Sequence, residues 1–211
     1  MAKIKILVAD DHPIIVVGLR RLLEPTFEVV AMVENGRELI VAAKKLKPDV
    51  IVVDISMPLL NGIDAVSQIR SEGLKAKIIF LTMHTEAYYA RRALAAGASG
   101  YVLKHSASTE LLFAIRQALA GRHYVSPTIA AKIKHTRAAE KASLNALEEL
   151  TARQREVLQL LAEGHSAKKI SSILTLSRRT VEYHKYHLME VLGFHKSAEL
   201  IQFALEHGLV P

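Results

Sequence analysis

Short apolar runs alternate with helical patterns over the first 121 residues. The runs are rich in Val and Ile and apolar on both faces, which is typical of parallel strands that helices cover on both sides. They lie at residues 4–9, 27–33, 50–53, 78–81 and 101–103. Helical periodicity covers residues 13–23, 37–46, 63–70, 87–96 and 110–120. Five such units predict an α/β domain over residues 1–121, built on an open parallel sheet of five strands.

A polar, Ala-rich stretch follows, and beyond it the pattern becomes purely helical. Residues 122–146 offer few apolar positions and predict an interdomain linker that is partly helical. Residues 147–211 predict an all-α domain of four helices. Thr151, with Gln154 three residues on as in a capping box, marks one helix start, and Ser166 and Ser177 mark the next two.

Apolar spacing in the last two helices predicts which of their faces are buried. The third helix is expected to bury Val181, His184, Leu188, Val191 and Leu192. The fourth, over residues 198–207, is expected to bury Leu200, Ile201, Ala204 and Leu205. Polar side chains then surround the outer side of the third helix.

Composition narrows the class of protein further. The 211 residues carry 28 Lys and Arg against 21 Asp and Glu, a formal net charge of +7, and 50% are hydrophobic, which excludes a disordered chain. The chain has no Cys, so it forms no disulfide or thiolate metal site. Since no long stretch lacks charge, we expect no membrane span and a cytoplasmic protein. The basic excess hints at an anionic partner.

Polar side chains stand directly after four of the predicted strands. Asp10 and Asp11 follow the first strand, Asp54 the third, Thr82 the fourth and Lys104 the fifth. In a flavodoxin-like strand order, 2-1-3-4-5, the first and third strands are neighbours, which brings the three carboxylates together. Oxygen ligands without Cys suit Mg²⁺, and Lys104 and Thr82 would contact the oxygens of a phosphoryl group. The set fits phosphoryl transfer onto Asp54, although each residue alone is also typical of a cap, a turn or a solvated surface.

These residues resemble the receiver domain of bacterial two-component response regulators. The matching segments are VADDHP at 8–13, DISMP at 54–58 with Gly62, LTM at 81–83 and GYVLK at 100–104. The resemblance implies that Asp54 accepts phosphate from a histidine kinase, and that Mg²⁺ binds Asp10, Asp11, Asp54 and the backbone carbonyl of Ser56. It also implies that Lys104 stabilises the phosphate and that Thr82 and Tyr101 form a switch pair. We expect His12 to be a first-turn residue and His84 an exposed loop residue, neither of them a ligand.

The second and third helices of the C-terminal domain predict a helix-turn-helix, whose exposed second helix can enter the major groove of DNA. Basic side chains on the two helices suit phosphate contacts, namely Lys168, Lys169, Arg178, Arg179 and Lys185. Glu182 could accept a hydrogen bond from cytosine, and Tyr183 and Tyr186 offer hydroxyls and apolar edges. Thr180 belongs to the same expected contact surface. Glu182 and Glu190 could instead be solvated or pair with Lys185 and Arg178, and the tyrosines could instead pack on other helices.

The segment from Leu150 to Gly193 resembles the LuxR-type four-helix DNA-binding domain through LTARQREVL at 150–158, SRRTVEYH at 177–184 and LG at 192–193. With the receiver in front, the whole chain resembles the NarL/FixJ class of response regulator. The resemblance implies a transcription factor rather than an enzyme. Phosphorylation of Asp54 would promote a homodimer, which binds double-stranded promoter DNA.

The sequence also fits two other classes of function. One is a phosphohydrolase with Asp54 as nucleophile and Asp11 as acid, although the first half lacks an inserted segment that could build a substrate pocket. The other is a regulator whose four-helix domain binds a protein, as the acidic residues of its third helix would allow.

Overall fold

The computed structural model describes residues 3–135, 147 and 149–210. The chain divides into two compact units, Met1–Thr136 and Arg137–Pro211. Much of the linker expected over residues 122–146 lies outside the described residues, since these omit 136–146. Among the described helices, none is long and apolar enough to cross a membrane.

A parallel sheet of six strands forms the centre of the first unit, in the order β2-β1-β3-β4-β5-β6. The predicted order of the first five strands is confirmed, whereas the predicted number is wrong by one. The strands are β1 Lys5–Ala9, β2 Glu28–Val33, β3 Val50–Val53, β4 Lys77–Thr82, β5 Gly100–Leu103 and β6 Tyr124–Val125. β1, β3, β4 and β5 are almost entirely buried, which explains why their sequences are apolar on both faces.

Six α-helices of this unit lie within the described residues. They are α1 Pro13–Leu23, α2 Gly36–Leu46, α3 Gly62–Ser71, α4 Ala87–Ala95, α5 Ala107–Leu119 and α6 Pro127–His135, with a 3₁₀ turn at Lys104–Ser106. Asn35 and Asn61 cap α2 and α3, because each side chain accepts a hydrogen bond from the backbone N–H three residues on. α1 and α5 share one core cluster with strand residues that include Ile6, Val52 and Ile79.

β6 and α6, which fall within the segment expected to be a linker, belong to the first unit. The backbone of residues 124–126 follows the edge of β5, with Tyr124 N donating to Ser99 O at 3.1 Å and Ser126 N donating to Tyr101 O at 2.9 Å. Ile129 of α6 is fully buried. The sequence pattern missed this docking because a two-residue strand and one buried side chain in a polar helix are too short to show periodicity.

Four helices with bounds in the described residues form the second unit. They are α7 Ala152–Ala162, α8 Ala167–Leu174, α9 Arg178–Leu192 and α10 Ser197–Glu206. The predicted capping box at Thr151 is present, and Ser166 and Ser177 accept hydrogen bonds from the third residue of α8 and α9. Thr175, in the left-handed region at φ 54°, turns the chain between α8 and α9.

Three side chains expected in the core of the second unit lie at its surface. Val191, Ile201 and Leu205 are 44%, 37% and 52% exposed, whereas Phe203, which was not expected in the core, is buried. In α10 the apolar residues at 200, 201, 203, 204 and 205 cover more than half of the helix circumference, so periodicity cannot select the buried side. Val191 lies on the last turn of α9, one turn beyond the buried Leu188.

Candidate functional site

The carboxylates of Asp10 and Asp54 meet at the carboxyl edge of the sheet. Asp10 directly follows β1 and Asp54 directly follows β3, the strand paired with it. The backbone locks this arrangement, since Asp54 N donates to Ala9 O at 2.9 Å. Both aspartates are almost fully buried, at 1% and 3% exposure. One ligand atom from each of Asp10, Asp11, His12 and Asp54 lies within 4.8 Å of the others.

Lys104 provides the positive charge of this pocket. It follows β5, and its Nζ lies 2.8 Å from Asp10 Oδ2 and 2.7 Å from Asp54 Oδ2. Burial raises the pKa of Asp54, and Lys104 partly offsets that effect. Burial alone would lower the pKa of Lys104, but the charge of Asp54 and the hydrogen bonds to both aspartates outweigh it, so the pKa of Lys104 is raised. The pocket therefore holds opposite charges in direct contact.

Thr82 and Tyr101 lie beside the pocket, on neighbouring strands. Thr82 is the last residue of β4 and is fully buried. The Tyr101 ring is also fully buried, and its hydroxyl donates to His84 O at 2.9 Å. Burial raises the pKa of Tyr101 far above its usual value. A neutral tyrosine hydroxyl thus links β5 to the loop that follows β4.

His84 is half-buried, contrary to the expectation of an exposed loop residue. Its Nε2 lies 2.8 Å from Ser56 Oγ, and its ring centroid lies 4.0 Å from that of Tyr89 on α4. Burial lowers the pKa of His84, an effect that the nearby Glu86 opposes. The sequence contained no signal for this contact, because it forms only when the loops after β3 and β4 are brought side by side.

The donor atoms of the pocket fit a hard divalent cation. Asp10, Asp11 and Asp54 supply carboxylate oxygens, the ligands that Mg²⁺ prefers, and the cluster is compatible with Mg²⁺ binding. Ser56, expected to contribute its carbonyl oxygen, lies two residues beyond Asp54 in the same loop. The structure thus brings Asp10, Asp11, Asp54 and Lys104 into one pocket.

Helix α9 presents the polar surface predicted for the second unit. Arg178 and Arg179 are exposed at its first turn, and Tyr183 and Tyr186 are 64% and 65% exposed. Lys168 and Lys169 are exposed on α8, and Lys185 is half-buried on α9. The tyrosines therefore do not pack into the core. Tyr183 stacks on His187 of the same helix, with 5.9 Å between ring centroids.

Three other side chains of α9 clarify the alternatives. Glu182 is half-buried, and within the described residues it forms no ion pair with Arg178 or Lys185. Glu190 lies 3.5 Å from His187 Nδ1 instead. Thr180 Oγ1 lies 2.8 Å from Ser177 Oγ, so this hydroxyl already takes part in the cap of the helix.

Comparisons with known proteins match both units. The family model of the response regulator receiver domain covers residues 6–116, and that of the bacterial regulatory proteins of the luxR family covers residues 148–204. A putative transcriptional regulator of Pseudomonas aeruginosa is 37% identical over 98% of this chain and 99% of its own length. The response regulator UvrY of Escherichia coli is 31% identical over 98% of this chain and 95% of its own length.

A solved structure with both units also resembles the chain. It is RcsB from Salmonella enterica serovar Typhimurium, bound to a promoter in the presence of the phosphate mimic BeF₃⁻. The two chains are 29% identical, and the match covers 95% of this chain and 97% of the RcsB chain, with a TM-score of 0.59. With a receiver pocket in one unit and a LuxR-type domain in the other, the chain belongs to the two-component response regulators of the NarL/FixJ class.

Proposed function

We propose that Asp54 is the phosphoacceptor and that its phosphorylation controls binding of promoter DNA by the second unit. The observation that carries the proposal is the position of Lys104, whose ammonium contacts the buried Asp54 carboxylate and is ready to stabilise added negative charge. An oxygen of Asp54 attacks the phosphorus of a kinase phosphohistidine. The P–N bond breaks, and its electron pair leaves with the imidazole.

The residues around Asp54 divide the work of this transfer. Asp10 and Asp11, with Asp54 and the Ser56 carbonyl, would hold Mg²⁺, which supplies charge neutralisation when bound. Lys104 would move its hydrogen bond from the carboxylate to a phosphoryl oxygen. Thr82 would donate its hydroxyl to another phosphoryl oxygen, and Tyr101 would respond through the loop that its hydroxyl already contacts at His84.

Labelling with acetyl phosphate tests the phosphoacceptor. Asp54→Asn should abolish incorporation, because an amide is not a nucleophile of comparable strength. Asp64→Asn is a matched control, since Asp64 is equally buried but lies at the start of α3. Full labelling of Asp54→Asn would contradict the assignment. Sustained release of phosphate from small phosphomonoesters over many turnovers would favour a phosphohydrolase instead.

The second unit would contact DNA through α8 and α9. Support comes from the exposed Arg178, Arg179, Tyr183 and Tyr186, which surround one side of α9, and from the exposed lysines of α8. The basic side chains suit phosphate contacts, and the tyrosines and Glu182 suit the edges of bases. We propose that the phosphorylated protein binds double-stranded promoter DNA as a homodimer in the cytoplasm.

The salt dependence of DNA affinity tests these contacts. Replacing Arg179 and Lys185 together by Ala should weaken binding to all sequences and reduce the slope of log K against log salt by roughly 2, at about 0.9 for each lost phosphate contact. The control replaces two basic residues of the first unit, Arg21 and Lys45, by Ala. An unchanged slope for Arg179→Ala with Lys185→Ala would exclude both residues from the phosphate contacts.

A further inference from the structure

The side chain of His12 faces the carboxylate cluster, a direction that its place in the sequence did not indicate. Its Nδ1 is 2.8 Å from Asp11 Oδ1 and 3.2 Å from Asp10 Oδ1. The same nitrogen is 3.5 Å from Lys104 Nζ, so it faces the charged centre of the pocket. The sequence pattern predicted a first-turn residue at this position and no role as a ligand.

The backbone around α1 sets this orientation. His12 is the N-cap of α1 with extended backbone angles, and its side chain makes no hydrogen bond to the helix end. Its N–H donates to Asp10 Oδ1 at 3.0 Å, which ties the residue to the pocket. The side chain is 55% exposed. The imidazole can therefore bind a metal ion without leaving a packed core.

The distances match those between adjacent ligands of one metal ion. Ligand atoms at about 2.1 Å from an octahedral ion lie about 3 Å apart at neighbouring positions. The two carboxylate oxygens nearest to His12 Nδ1 fall on either side of that value. An imidazole nitrogen adds little for Mg²⁺, which prefers oxygen, but it suits first-row transition metals.

We propose that His12 Nδ1 is an additional metal ligand, which makes the pocket favour a divalent transition metal such as Mn²⁺ over Mg²⁺. This inference rests on the proposed phosphoacceptor pocket, since Asp10 and Asp11 are its other ligands. His12 is then a residue that determines metal specificity, whereas the carboxylates provide affinity for either ion.

Pulsed electron paramagnetic resonance of Mn²⁺ bound to the full-length protein tests the ligand directly. The spectrum should contain a nitrogen coupling from a coordinated imidazole. His12→Phe should lose the coupling, and His105→Phe, which changes an exposed histidine outside the cluster, should retain it. If the wild-type protein binds Mn²⁺ without any nitrogen coupling, the proposal is wrong, and this result does not depend on the folding of a variant.

Equilibrium affinities give a second measurement. The ratio of the Mn²⁺ to the Mg²⁺ dissociation constant should rise on the order of tenfold in His12→Phe, whereas a purely structural role would shift both constants equally and leave the ratio unchanged. An unchanged ratio would overturn the proposal. Failure of Asp54 labelling with Mg²⁺ would contradict the proposed function and leave the nitrogen coupling unaffected, so the two outcomes are distinguishable.

Discussion

At the scale of single residues, burial and ion pairing act on Asp54 in opposite directions. Burial raises the pKa of its carboxyl, and Lys104 opposes that effect without cancelling it. Because the pKa is raised in the folded state, the protonated carboxyl favours the fold. This contribution is complete at a pH below 3.8, the pKa in the unfolded chain, and is lost as the pH rises through the pKa of the folded state. At neutral pH the charge of Asp54 therefore lowers the stability of the fold.

Asp54→Asn should consequently stabilise the first unit at pH 7. The amide keeps the shape of the side chain and removes the buried charge, so we expect a rise in Tm on the order of 2–4 °C, which corresponds to about 1 kcal/mol. The gain should narrow as the pH approaches 3.8. Thermal unfolding followed by circular dichroism between pH 4 and about pH 7.5 measures both effects. Asp64→Asn should show no such gain, because Asp64 accepts a hydrogen bond from the Asn61 side chain at 2.7 Å.

Gly62 fixes the backbone on which Asp54 stands. A Cβ at this position would lie 1.9 Å from Asp54 O, a contact that requires the backbone to shift. Gly62→Ala should therefore destabilise the protein by about 1–3 kcal/mol and slow phosphorylation of Asp54.

Gly18→Ala is the matched control for Gly62→Ala. Gly18 lies within α1, and an added methyl group would have nothing within 4 Å apart from its chain neighbours and the backbone of its own helix. This change should raise stability by roughly 0.5–1 kcal/mol, since Ala has the higher helix propensity. Denaturant unfolding compares the two variants, and equal effects of the same sign would contradict the steric explanation.

The sequence predicted the pocket better than its surroundings. Asp10, Asp11, Asp54 and Lys104 could be placed together because the ends of parallel strands meet at one edge of a sheet. The contact of His84 with Ser56 could not be predicted, because loop conformation decides it. The position of His12 is a similar case, since the local pattern showed a helix start and gave no direction for the ring.

At the scale of secondary structure elements, Ser126 joins β6 to the rest of the first unit. Its hydroxyl is buried, donates to Glu110 and accepts a hydrogen bond from Leu103 N at 3.3 Å. On the other side of this segment, Lys132 Nζ of α6 donates to Thr85 O at 2.9 Å. These hydrogen bonds thus hold β6 and α6, which precede the second unit in the sequence, and Lys132 attaches α6 to the loop that carries His84.

Ser126→Ala should loosen this attachment. It leaves the buried N–H of Leu103 without its side-chain acceptor, which costs about 1–3 kcal/mol. Hydrogen exchange should become faster over residues 124–135, while β1 and β3 keep their protection. Ser71→Ala, at an exposed position on α3, is the control. Unchanged exchange over β6 and α6 would show that Ser126 does not hold them.

The helices of the second unit show how far periodicity can be used. Capping residues located the starts of α7, α8 and α9, because a cap is a local interaction between neighbours in sequence. The buried side of α10 depends instead on which helices lie next to it. Its apolar residues cover too wide an arc for the pattern alone to exclude Ile201 and Leu205.

At the scale of the whole molecule, phosphorylation should change both assembly and DNA affinity. Beryllofluoride with Mg²⁺ should increase the dimer fraction in sedimentation experiments and tighten binding to promoter DNA. Asp54→Asn should show neither response, because the mimic bonds to the carboxylate. Tightening of DNA binding in Asp54→Asn, equal to that of the wild type, would mean that beryllofluoride acts elsewhere.

The total charge of the chain was a poor guide to either site. The net charge of +7 hinted at an anionic partner, yet residues 1–122 have 16 Lys and Arg against 12 Asp and Glu, and residues 123–211 have 12 against 9, so the excess does not single out the helical part. The placement of a few Lys and Arg side chains on α8 and α9 points to DNA. Three aspartates supply the carboxylates of the pocket in the first unit. Function in this molecule depends on the local arrangement of charge.

The two contacts of Lys104 have a consequence for folding in the absence of metal. Its ammonium already contacts one carboxylate oxygen of Asp10 and one of Asp54. The pocket therefore contains its own counter-ion, and the newly made chain needs no divalent ion to bring these carboxylates together. An incoming cation has to compete with a tethered one, which makes occupancy of the pocket depend on how much free metal the cell maintains.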